Sequence, residues 1–115
     1  MERVTARNPM SLATLRTLAS SGFGDMVKGV VDLNCGVMLV DAEMHADLEA
    51  EFLAEGSHRQ NLWGINLYPD VAGEDWIEFD SVINLRPAQG NRSRGVDDPG
   101  LRERLTALVE SLVQR

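Results

Sequence analysis

The stretch Met26-Val27-Lys28-Gly29-Val30-Val31-Asp32-Leu33-Asn34-Cys35-Gly36-Val37-Met38-Leu39-Val40 decides the fold. Its first eight residues are rich in valine and read as a β-strand. Val27, Gly29, Val31 and Leu33 share one face of that strand; Met26, Lys28, Val30 and Asp32 share the other. Asn34-Cys35-Gly36 is turn chemistry, and Val37 to Val40 returns as a second strand. So short a connection makes the pair antiparallel.

Outward from this hairpin the pattern alternates with helices. Upstream, Leu12, Leu15, Leu18 and Ala19 form one stripe of a helix from about Met10 to Ser21, with Ser11 or Asn8 as its cap, Pro9 in the first turn and Gly22 as its stop. Downstream, a helix from about Asp41 or Ala42 to Glu55 ends at Gly56. Two further strands are expected at Leu62–Pro69 and Trp76–Leu85, with a turn around Pro69, Asp70 and Gly73. In the last of these, Ile77, Phe79, Ser81, Ile83 and Leu85 face one way and Trp76, Glu78, Asp80, Val82 and Asn84 the other. A polar loop follows from Pro87 to Val96. Asp98 as cap and Pro99 as first residue open a final helix carrying Leu101, Leu105, Leu108, Val109, Leu112 and Val113 at helical spacing. The order is α-β-β-α-β-β-α. It predicts an α+β fold of two layers, with helices on one face of a mainly antiparallel four-stranded sheet. Residues 1–115 read as one domain, with 26–115 as the core and 1–22 as an N-terminal helical extension.

Composition limits the function classes. The chain has 115 residues, 43% of them hydrophobic and 25% charged, as an ordinary globular domain does. A single cysteine, Cys35, excludes a disulfide framework and points to a reducing, cytoplasmic setting. The longest apolar run, Val37 to Val40, is far short of a membrane span. The formal net charge of -7 argues against nucleic acid. That charge is unevenly spread. Residues 1–22 hold three basic and one acidic side chain, residues 23–84 two and thirteen, residues 85–115 six and four. Lys28 is the only lysine.

Three constellations carry chemistry. His45 and Glu49 lie one helical turn apart on the apolar stripe of Met44, Leu48, Phe52 and Leu53. An imidazole and a carboxylate so placed serve as base and orienter, or as a packed ion pair. They also suit two metal ligands, although with no evident third the metal signal is weak. The loop Arg86-Pro87-Ala88-Gln89-Gly90-Asn91-Arg92-Ser93-Arg94 brings three arginines together. Guanidinium forks and freed amides hold carboxylate or phosphate, or else these arginines pair with the acidic middle of the chain. The polar sheet face is the third. If Tyr68 opposes Trp76, Asn66 opposes Glu78 and Gly64 opposes Asp80, with Lys28 and Asp32 added by the hairpin. Exposed aromatics there would favour a partner or second subunit.

Several blocks resemble a family of small prokaryotic proteins of unknown function: His45-Ala46-Asp47, Glu55-Gly56-Ser57, Leu62 to Pro69, Ile77 to Ser81, Ile83 to Pro87 and Gln89 to Arg94. The likeness covers about residues 26–115. It implies no activity, cofactor or substrate and transfers no catalytic residue.

Three functions therefore compete. The first is a module binding a small anion or an acidic group of a protein through Arg86, Asn91, Arg92 and Arg94, with Asn66, Asn84 and Trp63 beside them. The second is a metal-assisted hydrolase using His45, Glu49 and Asp80. The third is a structural homodimer.

Overall fold

In the computed structural model, which describes residues 1–115, seven strands and three helices follow one another: β1 (Glu2–Val4), β2 (Met10–Ser11), α1 (Leu12–Ser21), β3 (Val27–Asp32), β4 (Val37–Val40), α2 (His45–Ala54), β5 (Leu62–Leu67), β6 (Ile77–Glu78), α3 (Pro99–Leu112) and β7 (Val113–Gln114). The hairpin forms at β3 and β4, pairing Gly29 with Val40 and Asp32 with Val37. Asp32 fixes its turn: Oδ1 accepts from the N–H groups of Asn34 and Cys35 and Oδ2 from the Ser57 hydroxyl.

Around the hairpin grows a five-stranded sheet in the order β1-β4-β3-β5-β6, antiparallel at every junction. The α+β class and the antiparallel sheet are as the sequence predicts. The strand count is five rather than four, because Glu2–Val4 adds an edge strand along β4. Residues 1–22 are thus woven into the sheet and core: Val4, Met10, Leu15 and Ala19 belong to the same buried cluster as Val31 and Leu105. β2 and β7 pair in parallel, Met10 with Val113.

Helices lie on both faces, not one. Val27 and Val31 point toward α1 and α3, packing with Leu15, Ala19, Leu105, Val109 and Leu112. Val30, between them, points the opposite way and joins Leu39 and Leu62 under Leu48 and Phe52 of α2. Every residue of β5 is buried accordingly.

Local signals set the helix ends. Ser11 caps α1 by accepting from the Thr14 N–H, Gly22 ends it, and Asp98 caps α3 by accepting from the Gly100 N–H. Pro9 stands outside α1, because Met10 and Ser11 are extended. Asp41, the one non-glycine residue at positive φ (74°), turns the chain off β4, so α2 starts at His45 rather than at Asp41.

The fourth predicted strand is cut short. Only Ile77 and Glu78 pair with β5; beyond them the chain leaves the ladder and Val82–Asn84 forms a 3-10 turn. Gly64 permits this. A Cβ on it would stand 2.6 Å from the Cβ of Ser81, so the chain crosses where Gly64 has no side chain. Trp76 is also displaced from the polar face. A 3-10 turn at Glu74–Trp76 rotates it into the α1/α3 core, where its Nε1–H donates to Glu110. No helix is long and apolar enough to cross a membrane.

Candidate functional site

At 1.5 Å per residue, α2 is about 15 Å long and covers only part of its sheet face. Under its second half the face is apolar. At its N-terminus the face turns polar, because β3, β5 and β6 place Lys28, Asn66 and Glu78 in one row across the sheet. The Asn66 Nδ2 donates to Glu78 Oε1 at 2.8 Å and to the Asp80 carbonyl at 3.2 Å. Tyr68 donates its hydroxyl to the same Glu78 oxygen. Asn66 Oδ1 is buried and has no partner.

His45, the first residue of α2, overhangs this row. Its Nε2 lies 2.9 Å from the Ile65 carbonyl. A carbonyl only accepts, so the ring proton sits on Nε2 and Nδ1 is bare. Burial lowers the His45 pKa, and the nearby Lys28 charge acts in the same direction. The Ile65 carbonyl, Asn66 and Asp80 oppose them without reversing the shift. The imidazole is neutral at pH 7.

Between the start of α2 and the segment after β6 lies a cavity of about 250 Å³. Its walls include Lys28, Met44, His45, Ser81, Val82 and Arg94. Met44 occupies the cap position of α2 and supplies no side-chain hydrogen bond. Helix-start N–H groups without a cap favour negative charge. Two cations share the cavity wall. Arg94 Nε holds Asp80 Oδ1 at 2.8 Å, and its terminal nitrogens make no further hydrogen bond. Lys28 has no carboxylate within ion-pairing distance and lies 5.1 Å from the Phe23 ring centre.

The arginine loop divides. Arg86 donates through Nε to the Ile83 carbonyl at 2.9 Å and through Nη1 to the Arg59 carbonyl at 2.7 Å; Nη2 donates to the Leu62 carbonyl. It also reaches Gln89 and stacks on Trp63 at 4.5 Å. Burial lowers its pKa, Glu49 raises it and Arg59 lowers it again. This guanidinium ties the loop to β5 and presents no free fork. Asn91 donates to the Asn84, Ser93 and Gly95 carbonyls and accepts from the Asp97 N–H. Asn84 bonds both backbone groups of Gly64. Trp63 is buried. The side chain of Arg92 makes no hydrogen bond or ion pair, and its backbone N–H donates to Asp97.

The structure therefore gathers His45, Asn66, Asp80 and Arg94 at one place and leaves Arg86, Asn91, Asn84 and Trp63 in the scaffold. Glu49 does not orient His45. Its Oε2 faces Arg59 at 3.7 Å, one turn further along α2. No three His, Cys, Asp or Glu side chains converge as a metal site would require. Internal neutralisation of the acidic middle falls to one loop arginine, Arg94 with Asp80, and to distant ones, Arg3 with Glu55 and Arg16 with Asp70. Ser81 is the lining residue the sequence places on the wrong face. The difference arises from the strand break, which depends on contact with Gly64.

No curated protein matches the chain. No solved structure matches it. A family model described as "Protein of unknown function (DUF5674)" matches residues 4–112, which takes in α1 and most of the N-terminal segment as well as the hairpin, α2 and α3. The chain belongs to that family.

Proposed function

We propose that the chain is a binding module for a small anion, a carboxylate or phosphate group, held at the cavity between α2 and the segment Ser81–Arg94. One observation carries this reading: the only lysine, without a counter-ion, and Arg94 line the same 250 Å³ cavity as the uncapped start of α2. Lys28 supplies the uncompensated charge, and Arg94, already paired with Asp80, offers its terminal nitrogens as donors. The first N–H groups of α2 and the Ser81 hydroxyl supply directed donors. Neutral His45 closes one wall, with its Nε2–H given to the Ile65 carbonyl rather than to the anion. Of the loop arginines, Arg94 reaches the anion, and Arg86 holds the loop in place.

The test is titration of ¹⁵N-labelled protein with acetate and with inorganic phosphate at constant ionic strength. Saturable shifts confined to the amides of Lys28, His45, Ala46, Ser81 and Arg94 are expected. Lys28→Met and Arg94→Gln should each weaken binding about tenfold, the effect of losing ~1.4 kcal/mol. Shifts scattered over the surface and abolished by salt would overturn the proposal.

A further inference from the structure

The anion cavity has a neighbour. A second cavity of about 330 Å³ is lined by Leu18, Phe23, Met26, Val27 and Ala42, and it shares Lys28 with the first. Apart from Lys28 its charged lining is acidic, Asp41 and Glu43. An anionic group is therefore excluded from it, and an apolar one is suited to it. Ligand sites commonly span about 300–1,000 Å³ and combine apolar walls with a few polar anchors. The anion cavity falls just below that range and its neighbour at the lower end of it, and together they divide the two roles.

Surface chemistry agrees. Six large apolar side chains are exposed in the whole chain: Met1, Phe23, Met44, Val71, Val82 and Leu85. Three of them, Phe23, Met44 and Val82, line the two cavities. Apolar surface concentrated around cations suits a molecule that has both characters. The Lys28 ammonium near the Phe23 ring stands where head and body would meet.

We propose that this site takes an amphipathic carboxylate, with the carboxylate between Lys28, Arg94 and the start of α2 and the apolar body against Leu18, Phe23 and Met26. The head group rests on the anion reading above; the apolar body is additional to it.

The probes are acetate, 3-phenylpropionate and the neutral 3-phenylpropanamide, each titrated into the full chain and followed by ¹⁵N and methyl ¹³C shifts. The phenylpropionate should bind at least tenfold tighter than acetate. It should move the methyls of Leu18, Met26 and Val27 together with the amides of His45 and Ala46. Phe23→Ala removes a half-exposed side chain and should lower phenylpropionate affinity about fivefold more than that of acetate. Equal binding of acetate and phenylpropionate at His45 and Ala46 overturns the amphipathic ligand and leaves the anion site standing. Equal binding of the amide and the acid overturns the placement of the carboxylate. Absence of any saturable shift at Lys28, His45 and Ala46 overturns both readings.

Discussion

The Asn84 carboxamide and the Gly64 backbone bond each other in both directions: the Gly64 N–H donates to Oδ1 at 2.8 Å and Nδ2 donates to the Gly64 carbonyl at 2.9 Å. A side chain thus takes the place of a strand neighbour where β6 has left β5. Nδ2 also donates to the Arg94 carbonyl, so the same group anchors the segment that carries one wall of the cavity.

Asn84→Ala should be strongly destabilising. It removes both partners of a buried backbone unit, and each buried group left unpaired costs about 1–3 kcal/mol. Urea unfolding should show a loss of roughly 2–4 kcal/mol. A loss below about 0.5 kcal/mol, the range of ordinary surface changes, would show that water replaces the carboxamide freely.

Gly64→Ala places a methyl 2.6 Å from the Ser81 Cβ. Overpacking of this kind costs about 1–3 kcal/mol. Ser81→Gly should relieve part of it, so the double variant should be more stable than the sum of the two single losses allows. Additive losses in a thermal or urea double-mutant cycle would place the strain elsewhere.

Arg86→Lys should lose stability although the charge is kept. A lysine cannot donate to the Ile83, Arg59 and Leu62 carbonyls from one planar group or stack on Trp63 in the same way. The expected loss is about 1–3 kcal/mol. Arg92→Ala, with no side-chain partner to lose, should stay within about 0.5 kcal/mol of the parent. Comparable urea midpoints for the two variants would contradict the division of the loop.

His45 gives stability a pH dependence. Its folded pKa lies below the ordinary 6.5, first because it is buried and also because Lys28 is near, against the pull of Ile65, Asn66 and Asp80. The unfolded chain therefore binds more protons there than the folded one. This contribution is fully present above pH 6.5 and is lost as pH falls from 6.5 through the lower folded value. In Asp32, burial raises the pKa but the hydrogen bonds from Ser57, Cys35 and Asn34 outweigh it; its contribution is lost only below the ordinary 3.8. Urea unfolding from pH 7.5 to 5 should show a decline that His45→Gln flattens. An equal slope in both proteins would mean the ring does not carry it.

Much of the framework was legible because its causes are local. Valine alternation and the Asn34-Cys35-Gly36 turn specify the hairpin, and Asp98-Pro99 specifies the start of α3. β1 carries too few residues for a pattern, and only its contact with β4 makes it a strand. Alternation after Phe79 reads as a continuing strand because the reason it stops, the empty side of Gly64, lies fifteen or more residues away in sequence. The site was legible in the same measure. The pairing of Asn66 with Glu78 follows from strand register and was expected. Helical spacing put Glu49 beside His45, and both lie in α2, but their partners lie in different directions, Ile65 for one and Arg59 for the other. Arginine spacing cannot show which carbonyls a guanidinium will meet, so Arg86 and Arg94 look alike in sequence and differ in the fold.

The parallel pairing of Met10 with Val113 has a consequence for biosynthesis. At ~5–20 residues per second, on the order of ten seconds separates the two residues during translation. Throughout that interval Val4, Leu15 and Ala19 lack Leu105, Val109 and Leu112 of α3, with which they share a buried cluster. The core therefore closes through contacts between residues far apart in sequence, which makes its completion a late step of folding.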